Sequence, residues 1–411
     1  MQYTLLLLSL FILVSCQQAS NNADAQFYAT SMEQSIHFFD KAYNADQGFY
    51  YSEVNHLGQI ESDRVHTVAL SRMIYGLAYA AAVNAEFAVR AEKAAAFQLK
   101  HMIAEDKDGL YYKPAIGEGE QAEQKVFDIW QQAYGACGLT ELYRHTGDEM
   151  LLHQIHRLNN AFIKRFQDKA NGGFYGLYDA EEGQVSGSKT IQSLMYPITA
   201  LMGNLWLADI GNREQYETII KEHLAIAYKS VWNDSLQWVN TRFDDNWQPV
   251  YADGDMVSPG HNFQFAALML RSANWSFLSD QERSDYHKLG KTIVKATLEK
   301  NIWAGQEVSQ GFFEAINPHT GEVLYRNKSW WQHCEALIAL SFIKDEFADE
   351  YQQLKDFYFG TFIDTEHGGE WAKVDEDNQP LVEPKGQKGK SVYHHIEMLR
   401  FLSEAEQKTS H

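Results

Sequence analysis

One short pattern recurs six times along the chain and constrains its fold more than any other feature. A polar residue precedes glycine and aromatic residues follow, as in Asp46-Gln47-Gly48-Phe49-Tyr50 and Asp108-Gly109-Leu110-Tyr111-Tyr112. The other copies are Asn171-Gly172-Gly173-Phe174-Tyr175, Asp234-Ser235-Leu236-Gln237-Trp238, Gln310-Gly311-Phe312-Phe313 and His367-Gly368-Gly369-Glu370-Trp371. Their glycines, or Gln237 in the weakest copy, stand at positions 48, 109, 173, 237, 311 and 369, which are 61, 64, 64, 74 and 58 residues apart. Such a period indicates one structural unit repeated six times.

Two segments with helical periodicity lie between consecutive copies of this pattern. With one segment before the first copy and one after the last, the sequence predicts twelve helices. They are Thr30 to Tyr43, Val65 to Val83, Glu86 to Ile103, Lys125 to His145, Glu149 to Phe166, Ile191 to Ile210, Gln215 to Trp232, Asn262 to Trp275, Asp280 to Trp303, Trp330 to Phe347, Glu350 to Phe362 and Val392 to Glu404. Because one helix pair cannot bury its apolar face alone, we expect an all-α (α/α)6 toroid, or barrel, with hairpin-like Gly-aromatic turns. In this 411-residue chain we therefore expect a single domain over residues 27–405, followed by a tail at 406–411.

The helix after each Gly-aromatic turn is rich in small residues, which suits a crowded inner ring. Examples are Ala78-Tyr79-Ala80-Ala81-Ala82 and Gly135-Ala136-Cys137-Gly138. The inner helices begin at comparable points, namely His66, Asp128, Thr190, His261, Trp331 and His394. A toroid brings these starts to one rim, around one pocket.

Charge and composition exclude some classes of partner. The formal net charge is −20, from 35 Lys and Arg against 55 Asp and Glu, and no basic run offsets it. This balance disfavours binding to nucleic acid or to anionic membrane surfaces. The chain has three cysteines, and Cys137 and Cys334 lie in apolar helical contexts where buried thiols are expected. No disulfide framework and no metal-type cysteine pair is present.

The N-terminus predicts a targeting segment. Residues 4–14 form an apolar run too short to span a bilayer, and Leu13-Val14-Ser15-Cys16 follows it. This text resembles the lipobox of bacterial lipoproteins, although Met1-Gln2-Tyr3 lacks the usual Lys or Arg. We therefore predict a signal peptide at 1–15, lipid attached to Cys16 and a flexible tether at 16–26. The protein would be extracytoplasmic, in the periplasm or on the outer membrane; an ordinary signal peptide or short anchor is the alternative.

Two histidines are the main candidates for chemistry. Ser258 and Pro259 match a helix N-cap and first helical residue, which places His261 in the first turn. The helix dipole disfavours a second positive charge there, so the imidazole stays neutral and can act as a general base. Tyr393-His394-His395 repeats this arrangement at the sixth inner helix. We predict that His261 and His394 face each other across one pocket.

An ordered set of motifs resembles the N-acylglucosamine 2-epimerase superfamily, which includes cellobiose 2-epimerases and mannose isomerases. The motifs span roughly Phe27 to Leu402. They are Ser71-Arg72, Gly260-His261-Asn262-Phe263-Gln264, Trp330-Trp331-Gln332-His333-Cys334-Glu335, Gly369-Glu370-Trp371 and Lys390-Ser391-Val392-Tyr393-His394. The resemblance implies an (α/α)6 barrel in which two histidines move protons at the carbon beside a sugar carbonyl.

The resemblance assigns those proton-transfer roles to His261 and His394. It assigns Arg72 to the enediolate oxygen and Glu335 to a carboxylate near the sugar, while Trp330 and Trp331 would stack on the substrate. The implied activity is that of a sugar 2-epimerase or aldose–ketose isomerase without cofactor or metal, acting on an unphosphorylated mono- or disaccharide. The sequence also has no phosphate-binding glycine loop. Oligomeric state is not indicated.

The chain departs from the family pattern at four positions. Gln264 replaces an acidic residue that normally orients or charges the neighbouring histidine. Tyr196 stands where the family has histidine, Thr199 where it has glutamate, and Trp130 about where tyrosine is common. We expect Trp130, Tyr196 and Gln264 to contact the substrate. His66, His333 and His395 also lie at inner-helix starts, but the resemblance gives them no role.

Two other functions stay open from the sequence. A carbohydrate-cleaving enzyme on the same toroid needs paired carboxylates, for which Asp128, Asp253, Asp255 and Glu335 are candidates. An inactive carbohydrate-binding relative would need the aromatic and arginine side chains but not the two histidines.

Overall fold

The computed structural model describes residues 24–117, 125–252 and 254–408. The predicted signal peptide, Cys16 and most of the predicted tether lie outside these residues. Within them, no helix is long and apolar enough to cross a membrane.

Twelve helices form the described part of the chain, and their number and order confirm the all-α (α/α)6 toroid. The outer helices are α1 (24–38), α3 (Glu86–His101), α5 (Glu149–Phe166), α7 (Arg213–Ser230), α9 (Asp280–Leu298) and α11 (Ala348–Thr361). The inner helices are α2 (Thr67–Ala80), α4 (Ile129–Thr146), α6, α8 (Pro259–Ser272), α10 (Trp330–Ser341) and α12 (Tyr393–Lys408). Helix α6 comprises Ile191–Tyr196, a π-helical turn over Pro197–Met202, and Gly203–Ala208. Helix α12 extends three residues into the predicted tail, because Glu406 accepts a hydrogen bond from Lys344 of the same end of the barrel.

The two rings differ in burial as the small-residue pattern predicts. In α2, 13 of 14 residues are buried, whereas in the outer helix α3 only 6 of 16 are. Inner neighbours pack in chain order and α12 returns to α2, while Arg271 of α8 donates to Asn204 of α6 at 3.4 Å. The packing leaves no room for side chains at some glycines: a Cβ on Gly138 would lie 2.2 Å from the Ser71 carbonyl oxygen. Small residues therefore set how closely the inner helices approach.

Among the described residues, fifteen short strands lie in the loops between helices. They are β1 (Tyr43–Asn44), β2 (Phe49–Tyr50), β3 (Val65–His66), β4 (Ile103–Asp106), β5 (Gly109–Tyr112), β6 (Ala115–Ile116), β7 (Val126–Asp128), β8 (Leu177–Asp179), β9 (Gly183–Gln184), β10 (Trp232–Asn233), β11 (Trp238–Val239), β12 (Ala315–Ile316), β13 (Val323–Tyr325), β14 (Lys328–Ser329) and β15 (Lys373–Val374). Each outer helix is followed by one Gly-aromatic motif, which forms a tight hairpin turn. The motif needs glycine because the turn residue has positive φ, for example 79° at Gly48, and Gln237 adopts 54° at the same point in the weakest copy.

A second set of strand contacts joins the loops around the rim where the inner helices begin. Each loop that leads into an inner helix pairs with a loop of a neighbouring repeat. Strand β3 pairs with β6, β7 with β8 and β14 with β15, and isolated bridges join Thr190 to Arg242, Val257 to Ile316 and Val54 to Gly386. These six pairings complete a circle, so the first turns of all six inner helices are held in fixed positions around the barrel axis.

Candidate active site

The rim encloses a cavity of about 350 Å³ at the starts of the inner helices. Its lining residues come from all six inner helices and from the loop before α12. They are Arg72, Trp130, Tyr134, Gln192, Tyr196, His261, Gln264, Trp330, Trp331, Gln387, Gly389, Lys390 and His394. The cavity therefore brings together every site residue predicted for the barrel except Glu335.

His261 lies in the first turn of α8, as predicted from the Ser258 N-cap and Pro259. A hydrogen bond to α10 holds this turn in place, since the Gly260 N–H donates to Gln332 Oε1 at 2.8 Å. Burial lowers the pKa of His261 to about 4, with no contribution from a neighbouring charge. The ring is therefore neutral at pH 7 and can accept a proton from a ligand in the cavity.

His394, unlike His261, contacts a carboxylate. Its Nδ1 lies 3.0 Å from Glu335 Oε1, and the same oxygen accepts a hydrogen bond from Gln264 Nε2 at 3.1 Å. Burial lowers the pKa of His394 well below its ordinary value and raises the pKa of Glu335 to about 7. Both shifts disfavour charge in this buried pair, and the contact at Nδ1 leaves Nε2 as the ring nitrogen available for proton exchange.

Two expectations are corrected by this arrangement. Glu335 was expected beside the sugar, but it lies behind His394 and lines a separate, smaller cavity on the far side of the pair. Gln264 was expected to weaken the base at His261 by lacking a carboxylate. Its amide instead binds Glu335, so the side chain supports the His394 end of the site. The cause is the spacing along α8, where residue 264 lies one turn deeper than 261 and faces α10.

Arg72 supplies positive charge in the cavity. Its side chain is 4% exposed, Nη1 donates to the Gly389 carbonyl, and the guanidinium lies 4.1 Å from the Tyr134 ring centre and 5.0 Å from that of Tyr393. The buried Nε has no hydrogen-bond partner among the described residues. A buried donor without a partner is costly, so Arg72 is suited to an oxygen of a bound ligand.

Aromatic side chains form the walls of the cavity. The Trp331 ring contacts both histidines, with ring centres 5.4 Å from His261 and 5.9 Å from His394. Trp330 meets His394 edge-on at 6.0 Å, and Trp130 lies 5.9 Å from the Arg72 guanidinium. Tyr196 packs against Tyr134 at 5.1 Å. Both tryptophans of the Trp330-Trp331 pair thus line the cavity.

Several lining residues were not predicted as site residues: Tyr134, Gln192, Gln387, Gly389 and Lys390. Lys390 was part of a quoted motif, and burial lowers its pKa to about 8. Its Nζ donates to the Glu370 carbonyl at 2.9 Å and lies 4.8 Å from the Trp330 ring centre. Gln192 follows the inner-helix start at Thr190, so the rule that placed the other starts at the rim could have identified it.

The remaining histidines at inner-helix starts do not line the cavity and have structural partners. His66 binds Glu53 at 3.0 Å, and His333 binds the Ser329 carbonyl at 2.7 Å. His395 lies between Ser31 and Tyr358, at 2.9 Å from each hydroxyl oxygen.

The carboxylates considered for hydrolysis do not meet across the cavity. Asp128 caps α4 through the Gln131 N–H, and Asp255 pairs with Arg242. Asp253 lies outside the described residues. Among the described residues, none of those lining the cavity is Asp or Glu, so the pair of carboxylates that glycoside cleavage uses is not found there.

Comparison with known proteins identifies the family and supports the fold. The sequence profile of the N-acylglucosamine 2-epimerase family matches residues 48–398. The chain belongs to this family. Its fold is similar to that of a cellobiose 2-epimerase from Spirochaeta thermophila, with a TM-score of 0.81, 14% sequence identity and coverage of 96% of this chain and 98% of that one. A D-mannose isomerase matches with a TM-score of 0.80 and 17% identity over 92% and 97% of the two chains.

The same fold also occurs in a glycoside hydrolase. A GH76 α-mannanase from Bacteroides thetaiotaomicron matches with a TM-score of 0.63 and 12% identity over 93% and 97% of the two chains. The barrel by itself therefore does not decide between isomerisation and hydrolysis, and the side chains of the cavity must carry the functional argument.

Proposed function

We propose that this member of the N-acylglucosamine 2-epimerase family is a cofactor-independent sugar 2-epimerase or aldose–ketose isomerase. The observation that carries the proposal is the placement of His261 and His394 in one cavity, each against the Trp331 ring and each with a pKa lowered by burial. Two neutral imidazoles beside one aromatic platform suit proton removal and return at one carbon of a sugar.

The reaction starts from the open-chain sugar, whose aldehyde acidifies the proton on C2. One histidine takes that proton, the C2–H electrons form a C1–C2 double bond, and the carbonyl oxygen becomes an enediolate oxygen. Arg72 lines the cavity and carries a positive charge there, so it can bind this oxygen. Return of a proton to the other face of C2 re-forms the C1 carbonyl and gives the epimer. Transfer of the O2 proton to O1, with return of a proton to C1, forms the carbonyl at C2 and gives the ketose. Two histidines favour the first outcome.

The two histidines need to share one proton for this exchange. Because the pKa of His261 is lowered to about 4, it is the base near neutral pH. The Glu335–His394 pair holds a proton up to about pH 7, where Glu335 titrates, so it is the acid. After transfer the proton lies on His261 instead, which makes the reverse reaction equally accessible.

The lining favours an unphosphorylated mono- or disaccharide. Trp130, Trp330 and Trp331 provide faces on which pyranose rings can stack. Both cations of the lining are already bound to backbone carbonyls, Arg72 to Gly389 and Lys390 to Glu370, which leaves no cluster of free cations for a phosphate. We also propose that the protein acts outside the cytoplasm, attached through lipid on Cys16.

Single substitutions test the two-histidine mechanism. His261→Ala and His394→Ala should each abolish interconversion of the epimers. Each variant should still exchange the C2 proton of one epimer with deuterated solvent, and the two variants should act on opposite epimers, because the remaining histidine reaches only one face. The exposed His153 provides the control, and His153→Ala should keep full activity. Unchanged interconversion in either active-site variant contradicts the mechanism.

A further inference from the structure

A second cleft lies on the outside of the barrel, beside the hairpin that follows α7. Its volume is about 520 Å³, and none of the residues lining it lines the central cavity. The hairpin β10–β11 and the loop over residues 244–251 form its two sides. Outer helices end where inner helices begin, so the cleft opens at the same end of the barrel as the central cavity.

Two aromatic side chains of this cleft are partly exposed to solvent, yet hydrogen bonds at their polar ends hold them in position. Tyr251 is 49% exposed, yet its hydroxyl donates to Asn240 Oδ1 at 2.9 Å and accepts from Asn233 Nδ2 at 2.7 Å. Trp232 is half-buried, and its indole N–H donates to Asp234 Oδ1 at 2.7 Å. An aromatic ring held by its polar tip presents a rigid apolar face with little entropy left to lose on binding.

Amide side chains border these rings. Asn246 and Gln248 are exposed on either side of the buried Trp247, in a turn whose shape is fixed by Asp244 Oδ1, which accepts from both of their backbone N–H groups at 2.9 and 2.8 Å. Trp247 itself has a positive φ of 64°, and its indole N–H donates to the Gly172 carbonyl at 3.0 Å. The tight turn thus anchors its indole inward and directs two amides to the solvent side.

The chemistry of this cleft matches one class of ligand. Rigid aromatic faces stack on the C–H faces of pyranose rings, and amides donate to and accept from the neighbouring hydroxyls. The charges lining the cleft, Lys229 and Asp234, are of opposite sign, so it has no net attraction for an anion.

We propose that this cleft binds a neutral, β-linked saccharide chain, independently of the chemistry in the central cavity. A β-linked chain is extended and offers flat pyranose faces, on which aromatic side chains such as Trp232 and Tyr251 of the lining can stack. The site would hold the enzyme on a polymer or oligomer at the end of the barrel where the central cavity opens. This inference goes beyond the proposed function, because binding here needs neither His261 nor His394.

Affinity gel electrophoresis of the purified full chain tests the proposal, with soluble glucomannan or hydroxyethylcellulose cast into the gel. The wild type should be retarded by at least one of them, and Trp232→Ala with Tyr251→Ala should remove the retardation. Titration calorimetry with the retarding glycan should show that Trp232→Ala alone weakens binding by about tenfold. Tyr325→Ala is the matched control, since Tyr325 is 56% exposed but does not line the cleft, and it should bind as the wild type does.

Two further measurements separate loss of binding from unfolding and from effects on the central cavity. The thermal unfolding temperature of the double variant should stay within a few degrees of the wild type, because Tyr251 is 49% exposed and Trp232 is only half-buried. His394→Ala should be retarded like the wild type even if it has no activity, which separates this site from the central cavity. Absence of retardation by both glycans overturns the proposal. The proposal is also overturned if the double variant is retarded as strongly as the wild type, or if His394→Ala alone loses the retardation.

Discussion

Replacing Glu335 by glutamine should move the alkaline limit of activity to lower pH. In the wild type, the two-histidine mechanism requires one proton shared between His261 and the Glu335–His394 pair. The acidic limb of kcat/KM then reports His261, near pH 4, and the alkaline limb reports the pair, near pH 7. Above the alkaline limb the pair has lost its proton and His394 can no longer act as the acid.

The size of the shift follows from the contact that is changed. A hydrogen bond to a charged group contributes about 1.5–3 kcal/mol, and about 1.4 kcal/mol corresponds to one pH unit. Glutamine removes the carboxyl group that titrates near pH 7 and lies 3.0 Å from Nδ1. Burial lowers the pKa of the remaining His394 well below its ordinary value, so the pair should lose its proton about one to two pH units lower. At pH 8 the variant should therefore show kcat/KM reduced by about 10- to 100-fold relative to the wild type, and at pH 5 it should show little change.

The assay is kcat/KM for interconversion of the epimers between pH 4 and pH 9. Glu141→Gln is the matched control: Glu141 is also a buried carboxylate, paired with Arg144 at 3.2 Å, but it does not contact His394. It should leave the alkaline limb in place. An alkaline limb unchanged in Glu335→Gln, or displaced equally in Glu141→Gln, would refute the reasoning.

Three other predictions follow from the structure. Arg72→Lys should lower kcat about 100-fold with little change in thermal unfolding, because the single Nζ of lysine cannot occupy the separate positions of the guanidinium nitrogens, one of which binds the Gly389 carbonyl. Steady-state kinetics and a melting curve check it. Gly138→Ala should lower the free energy of unfolding by about 1–3 kcal/mol in urea titration, since its Cβ would lie 2.2 Å from a carbonyl oxygen of α2, whereas Gly360→Ala on α11, with open space around it, should be neutral or stabilising. Cys16→Ser should move the protein from the membrane fraction to the soluble fraction of cells, and an unchanged distribution would contradict the lipid anchor.

The fold could be predicted from the sequence because its repeat is carried by local rules. A residue with positive φ is needed at every hairpin turn, and glycine at 48, 109, 173, 311 and 369 supplies it. The weak copy at Gln237 was recognisable only from its spacing. The π-helical turn in α6 was not predicted; it begins at Pro197, which has no N–H to continue the regular hydrogen-bond pattern.

The site was predictable only in part, because some of its contacts depend on packing between helices. Equivalent starts of the inner helices predicted that His261 and His394 face one pocket, and the family resemblance added Arg72 and the two tryptophans. The hydrogen bond between Gln264 and Glu335 joins α8 to α10, and no local pattern in either helix indicates it. Its consequence is that the substitution at 264 affects His394 rather than the adjacent His261.

The central claim is that the protein removes and returns a proton at C2 of a free sugar. Proton NMR of the purified protein in D2O with mannose, glucose, cellobiose and mannobiose tests it most directly. The account predicts that deuterium enters C2 of at least one of these sugars as its epimer appears. Formation of a ketose would identify isomerisation by the same enediolate. New reducing ends without deuterium at C2 would contradict the account and identify hydrolysis, and no exchange with any of the four sugars would contradict it for the proposed substrate class.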